Sequence, residues 1–189
     1  WARFQKNHQK DLEELLGRYK NHPLFSANST ELETAIMGCY PLHPVSTFIL
    51  PRLSERVAQN ERTLFTFLSD EGTSTLRSFI DVYDDDSFNL ITPDEIYDYF
   101  EPLFKKETFG GEIHDIYLLT SAILSSLAVH SLEAKIVKTL SLIYVLEQFE
   151  RLKPTKDEIV GVYSSSFSVK DINAAIDNLI EKEYVIYLK

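Results

Sequence analysis

The sequence predicts a mainly α-helical protein, in which a helical bundle precedes a C-terminal module with very little β structure. Three kinds of signal lead to this prediction: helix-start motifs, apolar residues at helical spacing, and few strand-like segments. Helix starts of the capping-box form Thr-x-x-Glu occur at 30–33, 92–95 and 155–158. The best strand candidate is 184–188, YVIYL, which is β-branched and aromatic.

Apolar side chains recur every three or four residues in a series of segments, so each segment can present one face to a core. These segments are 12–19, 48–57, 96–103, 113–127, 136–149 and 169–180. The segment 113–127 is apolar on most faces, which predicts a central helix. We also predict a helix over 63–68 with Asn60 as its N-cap, an acidic loop at 84–86 and a break at Gly110–Gly111.

The order of elements changes near His130. From Ser131 onward the pattern is a long helix, a short helix, a third helix and a strand, which is the order of a winged helix. We therefore predict two domains, a helical domain over 1–130 and a winged-helix-like domain over 131–189. Of the β wing, only the strand 184–188 is evident.

The composition is that of an ordinary globular protein, with 44% hydrophobic and 25% charged residues in 189. The net charge of −10 opposes nucleic-acid binding, because proteins that bind phosphate backbones usually carry a basic face. The single cysteine, Cys39, excludes an internal disulfide. No apolar run approaches the ~18 residues of a membrane span, and no signal peptide is evident, so the sequence predicts a cytoplasmic protein without a membrane partner.

Three segments carry a family resemblance. The first is 40–69, with Tyr-Pro-x-His-Pro, a helix bearing Arg52 and Arg56, and then Asn-Glu-Arg-Thr. The second is LITPDEIYDYFEPLF at 90–104, and the third begins with EAKIVKTLSLIYVLEQFERLKPTKDEI at 133–159. In this order, the region from Tyr40 to Lys189 resembles the helical lid and winged-helix region of large prokaryotic P-loop ATPases of the AAA+ and origin-recognition type.

The resemblance implies a lid-like bundle and a role in sensing nucleotide. A lid arginine in such ATPases reaches the phosphates, and Arg62 in Asn-Glu-Arg-Thr matches that position, with Arg56 and Arg52 as lesser candidates. The resemblance also implies ATP and Mg²⁺ in a parent protein, a P-loop ATPase core in the same or a parent chain, further protein subunits, and a bacterial defence or DNA-processing context.

The chain itself is not predicted to be an enzyme. Its early glycines, Gly17 and Gly38, do not fit the G-x-x-x-x-G-K-[ST] pattern that cradles phosphates, and no apolar strand ends in paired acids. The five histidines lack metal-ligand spacing, so we predict neither a metal nor a cofactor in this chain. The predicted function is that of a non-catalytic regulatory fragment of an ATPase.

Two alternatives come from other classes of protein. A winged-helix DNA-binding regulator would contact DNA through Lys170, Asn173 and Asn178, but 169–183 carries two basic and four acidic residues, a net charge of −2. DNA is therefore possible as a partner but not favoured. The other alternative is a helical protein-interaction adaptor without a link to nucleotide, which would be indicated by an exposed apolar patch.

Overall fold

The structure is a computed structural model that describes residues 2–25, 29–58, 61–83 and 87–186, without the side chains of residues 2, 3, 29, 58, 61 and 62. The described part is mainly helical, which confirms the predicted class. Its β structure amounts to an isolated parallel bridge between Leu42 and Ile91. Residues 184–186 do not form the predicted strand, and 187–189 lie outside the described residues, as does the predicted acidic loop at 84–86.

Helices before the Gly110–Gly111 break make up the larger part of the fold. They are α1 (Ala2–Asn7), α2 (Gln9–Tyr19), α3 (Ser29–Glu33), which continues into a π-helical turn (Thr34–Gly38), α4 (Pro44–Ala58), α5 (Glu61–Ser69), α6 (Leu76–Asp81) and α7 (Pro93–Phe104). After the break come α8 (Glu112–Leu124), α9 (Leu132–Leu146), α10 (Lys156–Tyr163) and α11 (Val169–Glu181). None of these helices is long and apolar enough to cross a membrane.

Most predicted helix starts are found where the capping signals stand. Thr92 and Glu95 form a capping box with Pro93 as the first helical residue, and Thr155 accepts a hydrogen bond from the Glu158 amide. The helix over 63–68 is confirmed as part of α5, while its proposed cap, Asn60, lies outside the described residues. Thr30 falls inside α3, one residue after its start, so it does not cap that helix as predicted.

One apolar cluster fills the interior, and α9 is its central helix. Buried residues of α9 include Ile136, Leu142 and Ile143, and α9 packs against α4, α7, α8 and α11. The prediction that 113–127 is the central helix is therefore wrong. Within this range, helix α8 ends at Leu124, and the residue of α8 that is buried is Thr120. Its apolar residues are spread around the helix, but only the side toward α7 and α9 is covered.

The same cluster continues across the predicted boundary near His130. The chain turns there with His130 in the left-handed region, at φ 64°. Helix α9, which follows the turn, packs against α7 and α8, which precede it. Division into domains over 1–130 and 131–189 stays a prediction.

Candidate functional site

A cleft of about 260 Å³ lies between α6, α7 and α9, and we call it the α7–α9 cleft. Three acidic residues of α7 and two lysines of α9 line it: Asp94, Glu95, Asp98, Lys135 and Lys138. The two sides are joined by ion pairs, Lys135 Nζ to Asp94 Oδ2 at 2.7 Å and Lys138 Nζ to Asp98 Oδ1 at 2.6 Å. The cleft therefore concentrates both signs of charge where two core helices meet.

Asp94 is the buried centre of this arrangement, with 2% of the residue exposed. Its Oδ1 accepts a hydrogen bond from Thr92 Oγ1 at 2.5 Å, and the Tyr163 hydroxyl lies 3.1 Å from the same oxygen. A buried carboxylate is tolerated when its lone pairs are met by donors and its charge by a cation. Thr92, Tyr163 and Lys135 meet these requirements together.

The network extends from Asp94 into α9 and α10. The Tyr163 hydroxyl lies 2.7 Å from Thr139 Oγ1 and 2.9 Å from the Lys135 carbonyl oxygen. Since a hydroxyl carries one proton, Tyr163 can accept from Thr139 and donate either to Asp94 or to that carbonyl. Burial, followed by the charge of Asp94, raises the pKa of Tyr163 well above its usual value, so Tyr163 stays a donor near neutral pH.

Glu95 is a titratable group of the cleft. Burial raises its pKa to about 7, and the neighbouring charge of Asp94 adds to the effect. The Thr92 amide donates to Glu95 Oε2 at 3.0 Å, which opposes the rise because it favours the charged carboxylate. A carboxyl with such a pKa in a cleft is a candidate functional group, since it can take up or release a proton under physiological conditions.

The sequence interpretation missed this cleft, although the spacing of its charges was visible. Asp94 and Asp98 are four residues apart and Lys135 and Lys138 three apart, so each pair occupies one face of its helix. Complementary pairs on two helices indicate an ion-paired contact. The ion pairs of the cleft join α7 to α9, so the arrangement supports binding and coupling of the two helices.

Of the predicted nucleotide-sensing residues, Arg52 and Arg56 do not line the α7–α9 cleft. Arg52 lies on α4 with its guanidinium carbon 3.8 Å from the centre of the Phe48 ring, and it donates to the Phe48 carbonyl at 2.9 Å. Burial and the nearby charge of Arg151 lower the pKa of Arg52. Arg56, one turn further along α4, donates to Glu147 at 2.5 Å and to Glu112 at 3.4 Å. Both arginines thus make contacts within the chain.

Arg62 belongs to the first turn of α5, which runs over Glu61–Ser69. Its side chain lies outside the described part of the structure, so its proposed contact with phosphates stays a prediction.

The residues predicted to contact DNA lie on α11. Lys170 is exposed and Asn173 half-buried, while Asn178 donates to Glu133 of α9 at 2.9 Å. Asp177 is paired with Lys156 of α10 at 2.7 Å. Asn178 therefore helps to hold α11 against α9, and the exposed residues of the helix include the acidic Asp171 and Asp177.

An apolar surface is exposed along α8 and beside it. On the helix, Leu118 is 45% and Leu119 64% exposed, and beyond its ends Phe109 and Val129 are 85% and 81% exposed. We call these four residues the α8 surface. Large exposed apolar patches are typical of protein contacts, and within this surface Leu118 and Leu119 are adjacent in the sequence.

No group of three or more histidine, cysteine, aspartate or glutamate side chains in the described residues has an arrangement that could hold a metal ion. Comparison of the chain with protein-family models, with curated proteins and with solved structures gives no match.

Proposed function

We propose that this chain is a non-catalytic regulatory module of a P-loop ATPase, which responds to nucleotide bound by the ATPase core and passes the response to a partner protein. The observation that carries the regulatory part is the α8 surface, because it leaves large apolar side chains exposed on a helix whose other side packs against α7 and α9. The ATPase part is supported by the ordered resemblance of 40–69, 90–104 and 133–159.

The α8 surface suits contact with another protein. Leu118 and Leu119 follow Asp115 on α8, and Glu112 stands at the start of the same helix. An apolar centre with charged residues at its edge is the usual anatomy of a protein interface. Because α8 packs against α7 and α9, a partner on its outer side would sense movement of the core helices.

In this proposal, nucleotide sensing rests on Arg62. Arg56 is held by two carboxylates and Arg52 is stacked on Phe48, so a phosphate would have to displace existing contacts to bind either of them. A guanidinium from the first turn of α5 would neutralise phosphate charge, and the ATPase core would supply ATP and Mg²⁺. Helices α9, α10 and α11 would act as the winged-helix part, in the cytoplasm.

The test is ATP turnover by the product of the complete gene, wild type against Arg62→Ala. Arg77→Ala is the matched control, since Arg77 is an exposed arginine paired only with Glu71 at 3.0 Å in the described part. We expect a loss of about tenfold or more for Arg62→Ala and no change for Arg77→Ala, because removal of a charge that contacts phosphates acts on the transition state. Equal turnover of all three proteins would exclude the role of Arg62.

A helical adaptor without a link to nucleotide is the second candidate. It is favoured by the intramolecular contacts of Arg52 and Arg56 together with the α8 surface. Unchanged turnover in Arg62→Ala, together with loss of partner binding in Leu119→Lys, would support this candidate over the first.

A winged-helix DNA-binding regulator is the third candidate and the least supported. Of its predicted contacts, Asn178 is bonded to Glu133 and Lys170 shares α11 with Asp171 and Asp177. DNA affinity that falls steeply with salt, and that Lys170→Ala weakens, would favour it.

A further inference from the structure

A second cleft, of about 270 Å³, lies where the end of α2 meets α10, and we call it the α2–α10 cleft. Arg18, Tyr19 and His22 line it from one side, and Arg151 and Lys153 from the segment that precedes α10. Gly161 of α10 contributes bare backbone to the lining. The cleft shares no lining residue with the α7–α9 cleft.

Three cations of the α2–α10 cleft have no carboxylate partner within the described residues. Arg151 donates instead to two carbonyl oxygens, of Pro23 at 3.2 Å and of Leu24 at 2.5 Å. Arg18 and Lys153 take part in no ion pair and no hydrogen bond in the part of the chain that the structure describes. In a chain of net charge −10, this is a local excess of positive charge.

Two acidic residues also line the cleft, but one of them is already engaged. Glu158 Oε2 accepts a hydrogen bond from His22 Nε2 at 2.9 Å. His22 Nδ1 accepts from the Leu24 amide at 3.2 Å, which leaves Nε2 as the nitrogen that donates to Glu158. Arg18, Arg151 and Lys153 against Asp157 and Glu158 leave the lining with one net positive charge.

The Tyr19 hydroxyl is a buried donor without a partner. The residue is 1% exposed, and its hydroxyl makes no hydrogen bond. Burial raises the pKa of Tyr19 well above its usual value, so the hydroxyl keeps its proton. A methyl group added at Gly161 would come within 3.4 Å of this hydroxyl and 3.3 Å of Arg18 Nη1, so the two groups converge on the bare helix backbone.

Three uncommitted groups of the cleft are donors, namely Arg18, Lys153 and the Tyr19 hydroxyl, while the Asp157 carboxylate, which also makes no ion pair or hydrogen bond in the described residues, is an acceptor. Arginine and lysine side chains have no acceptor, and the Tyr19 hydroxyl has its proton available. A ligand that supplies acceptors and negative charge would complement Arg18, Lys153 and the Tyr19 hydroxyl.

We propose that the α2–α10 cleft binds a phosphate group, with Arg18 and Lys153 as its charged ligands and the Tyr19 hydroxyl as an additional donor. A guanidinium fork matches the tetrahedral oxyanion in geometry, and the ammonium adds a point charge. The missing Cβ of Gly161 leaves room for Arg18 beside the helix. A cleft of about 270 Å³ has room for a phosphate group, either as free phosphate or as the phosphate end of a monoester.

The test measures binding of inorganic phosphate by the wild-type chain, by isothermal titration calorimetry and by the thermal shift relative to sodium chloride of equal ionic strength. Arg18→Gln and Lys153→Gln are expected to weaken binding at least tenfold. Lys170→Gln is the matched control, since Lys170 is an exposed lysine that does not line the cleft, and the phosphate affinity of this variant should equal that of the wild type. AMP serves as a second probe: tighter binding than phosphate identifies a monoester as the ligand, and equal or weaker binding identifies free phosphate.

Tyr19→Phe separates a binding role from a structural one. Because the buried hydroxyl has no partner, the phosphate-free Tyr19→Phe variant should be at least as thermally stable as the phosphate-free wild type. Its affinity for phosphate should be severalfold weaker. The proposal is overturned when neither phosphate nor AMP binds the wild-type chain, or when Arg18→Gln, Lys153→Gln and Lys170→Gln bind equally well.

Discussion

Replacing Lys135 by methionine tests how the α7–α9 cleft holds the fold together. The ammonium of Lys135 lies 2.7 Å from a carboxylate oxygen of Asp94, which is 2% exposed. Removing one partner of a buried ion pair leaves the other charge uncompensated, at a cost of about 3–5 kcal/mol. Because the Lys135 side chain is 27% exposed, we expect Lys135→Met to lower the free energy of unfolding by about 3 kcal/mol.

The matched control is Lys156→Met, since Lys156 also lies 2.7 Å from its carboxylate partner, Asp177. Both of these side chains are more exposed, 34% and 66%, so the expected cost is below about 1 kcal/mol. Equilibrium unfolding in urea at pH 7 gives both values. The double variant Asp94→Asn with Lys135→Met should recover much of the loss, because it removes the stranded charge. Equal, small costs for Lys135→Met and Lys156→Met would refute this account of the cleft.

Two further predictions concern Glu95 and the α8 surface. Because the folded protein raises the pKa of Glu95 from 4.5 to about 7, the unfolded carboxyl ionises first, and its contribution to stability falls as pH rises from about 4.5 to about 7. Glu95→Gln keeps an acceptor for the Thr92 amide. In urea unfolding, the free energy of unfolding of this variant should equal that of the wild type at pH 4.5 and exceed it by up to about 3 kcal/mol at pH 8. An increase in the free energy of unfolding that is independent of pH would contradict the assignment. Leu119→Lys should change the free energy of unfolding by less than about 0.5 kcal/mol, because Leu119 is 64% exposed, whereas Leu142→Ala in the core should cost about 2–5 kcal/mol. A large loss of stability in Leu119→Lys would show that the α8 surface belongs to the fold.

Local signals predicted the helices well because they act within one turn. The capping box at Thr92 and the threonine cap of α10 depend on residues three positions apart, and both helices begin there. The spacing of apolar residues likewise predicted the buried stripe of α2, with Leu12, Leu15 and Tyr19 in the core.

Tertiary packing decided the features that the pattern could not predict. Apolar residues around a helix indicate how much surface it could bury, but not which helix the core selects, and here α9 is central while α8 leaves Leu119 exposed. The strand expected over 184–188 does not form over its described residues, 184–186, since β-propensity without a pairing strand gives no ladder. The buried network of Asp94, Lys135 and Tyr163 joins segments that are far apart in the chain. The sequence could therefore reveal the spacing of the charges on each helix but not the contacts between the helices.

The most direct test of the proposed function is hydrogen exchange of the complete gene product, measured with ATP and with ADP. A module that senses nucleotide through the first turn of α5 and contacts a partner through α8 should differ in amide protection between the ATP-bound and the ADP-bound state. We predict that peptides covering Glu61–Ser69 and Glu112–Leu124 exchange more slowly with ATP than with ADP, while peptides of the central helix α9 do not change. Identical exchange of both peptides in the two states, with nucleotide binding verified, would contradict the proposal.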